Sequence, residues 1–423
     1  MKHRGLQLIV SILCLAWLSP GLVWAQTMSP ERAIPLYQRK LQRNPLDAST
    51  YYRLGDAYIQ RARETGDITY FNLAEQALRK SLEIDPRNGG ALRHLAYVFF
   101  SHHEFKEAAD TAAKAIELDP ADSHAYGVLG DSFLEVGKYD QAAEAYGKMV
   151  QLDGSLYSYG RLSGLKSIRG DALGAIADLD RAIQAGKATG RPPEAIAWAQ
   201  WQLGSEHFSV GDLKAAEAQY LEALNTQPNY YRALAGLAQV RAAQQRYPEA
   251  IDLYQKAMAI IPLPEYAVAL GDVYVTMARP EQAKKQYDLV EYIGYLNTLN
   301  KILYNRSLAY FYADHDVKLK EALELARREF EVRQDIYAYD VLAWALYKNE
   351  KPQEALAAMA EALKLDTKDA RLLFHAGMIY HALGKTDQSR LYLSRALGLN
   401  PHFHILQAEE ARRTLQEIEG GQP

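Results

Sequence analysis

Apolar and polar residues alternate along this chain with the period of amphipathic helices, and small residues recur within the apolar stripe at fixed intervals. One series runs Gly55, Ala96, Gly130, Ser163, Gly204, Ala238, Gly271, Ala309, Ala343 and Gly377. A second, almost always twelve positions later, runs Ala74, Ala108, Ala142, Ala175, Ala216, Ala250, Ala283, Ala322, Ala355 and Ser389. Large apolar residues flank these sites, as Leu54 and Tyr58, Leu129 and Phe133, or Leu270 and Tyr274 do. Side chains no bigger than a hydroxymethyl group let two helices approach closely, and the large neighbours fill the space around the contact. The pattern predicts ten helix hairpins. A third site, seven positions further on, is small in seven of them and departs at Met149, Val290 and Glu329.

Successive first sites lie 41, 34, 33, 41, 34, 33, 38, 34 and 34 residues apart, so three places carry an excess. In hairpin 1 the excess falls around residues 64–70 and predicts a longer turn. Residues 186–193 read Gly-Lys-Ala-Thr-Gly-Arg-Pro-Pro, a run that cannot continue a helix and is expected to joint the stack into two halves. The third excess surrounds hairpin 8, with the aromatic-rich residues 292–312. Pro248, Pro280 and Pro352 fall in the first turn of second helices, where a missing N–H costs nothing. Residues 29–45 read as half a hairpin, although Pro35 would sit inside its helix. Residues 403–418 are amphipathic and are expected to cover the last apolar face. The expected order is a half-hairpin over residues 26–47, hairpins 1–4 over 48–186, the joint at 187–193, hairpins 5–10 over 194–401, and a capping helix and tail over 402–423.

This arrangement resembles the tetratricopeptide repeat (TPR), whose signature is W-x2-L-G-x2-Y, then A-x3-F, then P. Hairpin 3 carries it as Tyr126, Leu129, Gly130, Phe133, Ala142 and Tyr146, with Gly154 where proline is usual. The resemblance spans roughly residues 48–401 and implies an all-α solenoid superhelix that binds other proteins through its concave face. In the TPR pattern, positions 2, 5, 9 and 12 of each first helix point into that groove. Here they include Tyr52, Tyr97, Phe100, Tyr157, Trp198, Trp201, Phe208, Tyr310, Tyr337, Trp344, Tyr347 and Phe374. Aromatic side chains offer large contact area at low entropy cost, which suits partner recognition. The competing reading is that they pack against neighbouring first helices. The family's clamp for acidic chaperone tails is not expected, because position 9 holds no asparagine in any repeat.

Residues 2–4 are Lys-His-Arg, an apolar run covers residues 6–18, and Val23-Trp24-Ala25 offers a small-x-small cleavage pattern. Residues 1–25 therefore read as a signal peptide, and the run is too short for a bilayer span. Export to a bacterial periplasm or the exterior is the expectation, with no membrane span in the mature chain. Cleavage would remove Cys14, the single cysteine, and leave 46 basic against 52 acidic residues. Disulfides and thiol chemistry are then excluded, and a formal charge of −6 argues against nucleic-acid binding.

No phosphate loop, His-Glu-x-x-His or nucleophile elbow occurs, and only 22 residues follow Pro401. A non-enzymatic scaffold for a protein or peptide of the cell envelope, without cofactor, is the expected function. Two alternatives stand beside it. Aromatics also stack on sugars, and Trp344 near Asp340 would suit a glycan-binding or polysaccharide-assembly accessory. The histidines, among them His102-His103, His315 and His402-Phe403-His404, would suit an accessory of a metal or transporter pathway. The export reading has a direct check: N-terminal sequencing of the protein recovered from envelope fractions should begin at or near Gln26, and full-length chain held in membranes would refute it.

Overall fold

The computed structural model describes residues 28–299 and 305–420, and all regular structure among them is helical. The expected signal peptide lies outside the described residues. A single helix, α1 (Pro30–Arg43), precedes ten hairpins. They are α2 (Ala48–Thr65) with α3 (Thr69–Ile84), α4 (Gly89–Ser101) with α5 (Phe105–Leu118), α6 (Ser123–Glu135) with α7 (Tyr139–Leu152), and α8 (Leu156–Ile168) with α9 (Ala172–Ala188). Next come α10 (Pro193–Ser209) with α11 (Leu213–Thr226), α12 (Tyr231–Ala243) with α13 (Tyr247–Ile260), and α14 (Pro264–Thr276) with α15 (Pro280–Leu299). Then follow α16 (Asn305–Asp314) with α17 (Leu319–Val332), α18 (Ile336–Lys348) with α19 (Pro352–Ala362), α20 (Ala370–Ala382) with α21 (Thr386–Leu399), and finally α22 (Gln407–Gly420).

All twenty small sites are buried where the two helices of a hairpin meet. The contact has a fixed partner. A Cβ added to Gly130, Gly204, Gly271 or Gly377 would lie 2.3–2.6 Å from the side chain sixteen residues on, namely Tyr146, Tyr220, Tyr287 or Leu393. Five first helices, α2, α4, α6, α18 and α20, begin on side-chain caps, with Asp47, Asn88, Asp122, Asp335 and Asp369 accepting backbone N–H groups. Glu329, one of the departures at the third small site, is buried between Arg306 (3.1 Å) and Arg333 (2.8 Å), so the exception carries an ion-pair network.

The first two excesses lie mostly in helices. In hairpin 1 they lengthen α2 to 18 residues, closed by left-handed Gly66, instead of making a long turn. At the expected joint, α9 runs through Gly186 to Ala188 and α10 starts at Pro193. Leu156, Leu179, Ile183, Ala195 and Ile196 form one core cluster across it. Gly186 serves packing, since a Cβ there would meet Leu156 at 2.5 Å. Pro35 is accommodated inside α1.

The solenoid also closes on itself. The turns of hairpins 3, 4 and 5 abut the junctions that follow hairpins 8, 9 and 10. Gln334 N–H donates to the Glu135 carbonyl at 3.0 Å, and Arg333 pairs with Glu135 at 2.5 Å. Ile336 N–H donates to the Tyr139 hydroxyl at 2.7 Å, Thr367 donates its hydroxyl to the Ile168 carbonyl, and Asn400 Nδ2 reaches the Phe208 carbonyl at 2.7 Å. These partners lie 192–199 residues apart. One superhelical turn therefore takes about six repeats. Ile336 and Leu372 enter the same core cluster as Tyr139, Tyr146 and Leu165, so the two coils share apolar as well as polar contact. The left-handed turn residues Gly137 and Gly170 come close enough that a Cβ would lie 2.5 Å from the Gln334 or Asp366 carbonyl oxygen.

The hairpin contact yields a direct test. Gly130→Leu forces a branched side chain into the Tyr146 ring and should destabilise the fold by about 1–3 kcal/mol or more, read as a lower urea midpoint. An unchanged midpoint would show that the two helices tolerate separation.

Candidate recognition groove

First helices line the inside of the superhelix, and its two halves differ. Along hairpins 1–6 the wall is open. Two adjoining cavities of about 220 and 460 Å³ share Arg63, Tyr97, Tyr157 and Arg161 and together form a groove. Asp56, Arg93, His94 and His124 line one end, and Asp131, Glu194, Trp198, Tyr231 and Arg232 line the other.

Glycines at position 5 of hairpins 3 and 4 make room for its large side chains. A Cβ on Gly127 would meet Met149 and Arg161, and one on Gly160 would lie 2.8 Å from the Trp198 ring. Arg161 grips Asp131 through Nε and Nη2 at 2.8 Å each, and Tyr146 donates to the same carboxylate at 2.8 Å. Burial works against the Arg161 charge, but Asp131 outweighs it and holds the guanidinium above its ordinary value. Arg93 pairs with Asp122 at 3.0 Å, and Arg63 with Glu194 at 3.4 Å. Arg232 has no carboxylate within ion-pair distance among the described residues; it stacks on Trp201 (5.0 Å) and Tyr231 (5.2 Å). Arg191 lies over the Tyr157 ring at 5.2 Å, with a buried Nε that has no hydrogen-bond partner.

Of the expected groove residues, Tyr97, Tyr157 and Trp198 line this open wall, half-buried. Tyr52 belongs to it by stacking on His94 at 5.2 Å, and Trp201 by its contact with Arg232. Trp344, Phe374 and Phe208 require correction, since they are only 1%, 0% and 6% exposed. Trp344 is stacked against His375 (4.1 Å) and Tyr347 (4.9 Å) and donates Nε1–H to Asp314 at 2.8 Å. Phe208 sits in the core of hairpins 5 and 6 with Tyr220 and Leu237. Tyr347 is half-buried among C-terminal repeats, and Tyr337 is half-buried where the C-terminal coil meets hairpins 3 and 4. Asp340 is also fully buried, held by Tyr310 (2.6 Å) and His375 (2.9 Å), so the Trp344–Asp340 pair offers no exposed ring to a sugar.

Aromatic residues at groove positions do not reveal the arginines that share the wall with them. Arg93 at position 5 of its helix was the available signal, and Gly127 and Gly160 at that same position marked the space.

Among the described residues, no three His, Cys, Asp or Glu side chains are placed to hold a metal, and no helix is long and apolar enough to cross a membrane. Sequence profiles described as tetratricopeptide repeat match residues 29–81, 71–123, 202–263 and 341–402, and a further one matches 123–155. The chain belongs to the TPR family. Similar solved structures include YrrB, described as a TPR protein with an unusual peptide-binding site (20% identity, 44% of this chain and 94% of that one, TM-score 0.31). Yeast Tom70 is similar over 92% of both chains at 13% identity and TM-score 0.40. A thermophilic TPR protein of Thermus thermophilus, TTC0263, is 18% identical over 46% of this chain and 99% of its own, at TM-score 0.40. No curated protein matches the sequence.

The TPR groove also has a pH signature. Burial, with Arg93 and His124 adding, pushes the His94 imidazole down to about 3. An unfolded histidine binds its proton near pH 6.5. The stability due to neutral His94 is thus fully present above about 6.5 and is lost as pH falls towards its folded value. NMR titration should show His94 neutral down to about pH 5 or lower, and a midpoint near 6.5 would mean that the groove admits water freely at this ring.

Proposed function

We propose that this TPR protein is a non-enzymatic scaffold, exported to the cell envelope, that holds an extended segment of a partner protein in the open groove of hairpins 1–6. The observation that carries the reading is Arg232, a half-buried guanidinium framed by Trp201 and Tyr231, close to Trp198 and without a carboxylate of its own. Such a group is preorganised for a partner carboxylate, and the rings beside it supply apolar area. The segment that fits presents an acidic side chain beside an apolar one. Arg93 and Arg161 already have carboxylates, so they shape the wall, whereas Arg191 has a donor without a partner and Arg232 has only the Tyr231 hydroxyl and the rings beside it.

Selection of peptides from a random library on the mature protein tests this. Enriched peptides should carry Asp or Glu beside an apolar residue, and Trp198→Ala or Arg232→Ala should each weaken their binding by about 2 kcal/mol, roughly thirtyfold, with helicity unchanged. Peptides without acidic residues, or variants that bind as wild type, would count against the groove.

A further inference from the structure

After hairpin 10 the chain turns inward. Residues 401–406 cross the inner wall of the C-terminal repeats, and α22 follows them. The Phe403 ring lies 5.7 Å from Phe374, and Ile405 packs against the core of hairpins 6 and 7. Gln407 Nε2 donates to Asp314 Oδ1 at 2.8 Å, the same oxygen that receives Trp344 Nε1–H. Ala411 and Ile418 complete the cluster that contains Trp344 and Phe374, and Thr414 reaches the Met378 sulfur at 3.7 Å. The wall that is open in hairpins 1–6 is therefore occupied here, by the chain itself.

Apolar contact holds this occupant through Phe403, Ile405, Leu415 and Ile418, and the fully buried residues of α22 itself are Gln407, Ala408, Ala411, Thr414 and Ile418. Apolar contact does not change with pH, whereas the polar contacts at the start of α22 can, and they converge on His404. Its Nδ1 accepts the N–H groups of Leu406 and Gln407 at 3.3 Å each, capping the start of α22. Its Nε2 faces Asp272 Oδ2 at 3.4 Å. The other Asp272 oxygen is taken by His315 Nε2 (2.8 Å) and the Tyr287 hydroxyl (2.7 Å). One carboxylate thus serves two imidazoles.

We propose that residues 401–420 are a displaceable plug, released by mild acid when His404 takes a proton on Nδ1. The cap requires an unprotonated Nδ1. A proton there sets N–H against N–H and adds a second imidazolium to a carboxylate that His315 already neutralises. The titratable and charged groups around His404 are Asp272 on α14, Tyr247 and Tyr254 on α13, Asp314 and His315 at the end of α16, Arg371 on α20, His402 beside it in the chain, and Glu409 and Arg412 on α22. Asp314 does not offer a spare charge, since Arg371 holds it at 2.7 Å. Burial is the main cause that lowers His404, Asp272 and Asp314 oppose it, and Arg371 and His315 add to the lowering. A docked value below the free one means that docking is strongest above about pH 6.5 and weakens by up to about tenfold per pH unit below it.

Hydrogen exchange of the full chain at about pH 7.5 and about pH 5.5, on either side of the free histidine value and corrected for intrinsic rates, reads this directly. Protection of α22 should fall by up to about tenfold while that of α21 stays constant. In His404→Gln, whose neutral side-chain oxygen can accept the same N–H groups, α22 should be equally protected at both values. His315→Gln removes the competing imidazolium and should move release to lower pH. Constant α22 protection in the wild type, loss of α21 and α22 together, or His404→Gln that responds like the wild type would each overturn the plug. The groove of hairpins 1–6 has no part in this measurement.

Discussion

The geometry of the molecule depends on one repeated contact, a large side chain of a second helix lying against a methyl-sized or absent side chain of the first. At Gly130 the Tyr146 ring leaves no space for even a Cβ. Packing this close leaves each pair of helices little freedom in distance or crossing angle. With the small site kept in ten successive hairpins, the rotation from each to the next accumulates as a regular superhelix. The bore and its lining follow from a choice of side-chain size.

That regularity brings distant segments together. After about six repeats the coil meets itself, and hairpin turns find junctions 192–199 residues away. A solenoid with nearest-neighbour contacts alone unfolds piecewise; one whose coils share Ile336 and Leu372 with Tyr139 and Leu165 couples its halves. The closure also fixes groove width, because the turns that carry the N-terminal wall are pinned to the C-terminal coil. Gly137 and Gly170 matter twice, by taking a left-handed conformation and by admitting a carbonyl where a side chain would stand.

The helix hairpins and the small sites were legible in the sequence because they rest on local periodicity. The insertions show the limit of that periodicity. The one near residues 64–70 reads as a longer turn, yet it lengthens α2; the one at 186–193 does end α9 at Ala188, but added helix on both sides takes up most of the extra residues, and Gly186 inside α9 answers to Leu156, a residue of the preceding helix. Register also placed Trp198 and Trp344 on groove-facing positions, and only tertiary structure separates them. Trp198 faces an open cavity, whereas Trp344 lies in a cluster completed by Ala411 and Ile418, more than sixty residues away. Register tells which way a side chain points and says nothing of what arrives from elsewhere to cover it.

Buried carboxylates recur in this chain, as Glu329 between its two arginines shows, and the covered wall brings three together. Asp272 and Asp340 are buried and Asp314 nearly so, each held by histidine, arginine or hydroxyl partners. Such groups are an uncertain source of stability, since well-packed apolar residues of similar volume are often as stable or more so. A wall that is sometimes wet needs polar groups that water can satisfy, and a wall that is sometimes dry needs them paired. The Asp–His–Arg network of hairpins 7–10 meets both conditions. Arg371 pairs with Asp314, while the two imidazoles on Asp272 belong to the side-chain type that gains and loses its proton nearest neutral pH. The segment that covers this wall is held by apolar contact through Phe403, Ile405 and Ile418 and by polar contact through His404 and Gln407, and it is the polar set that a change of pH can alter.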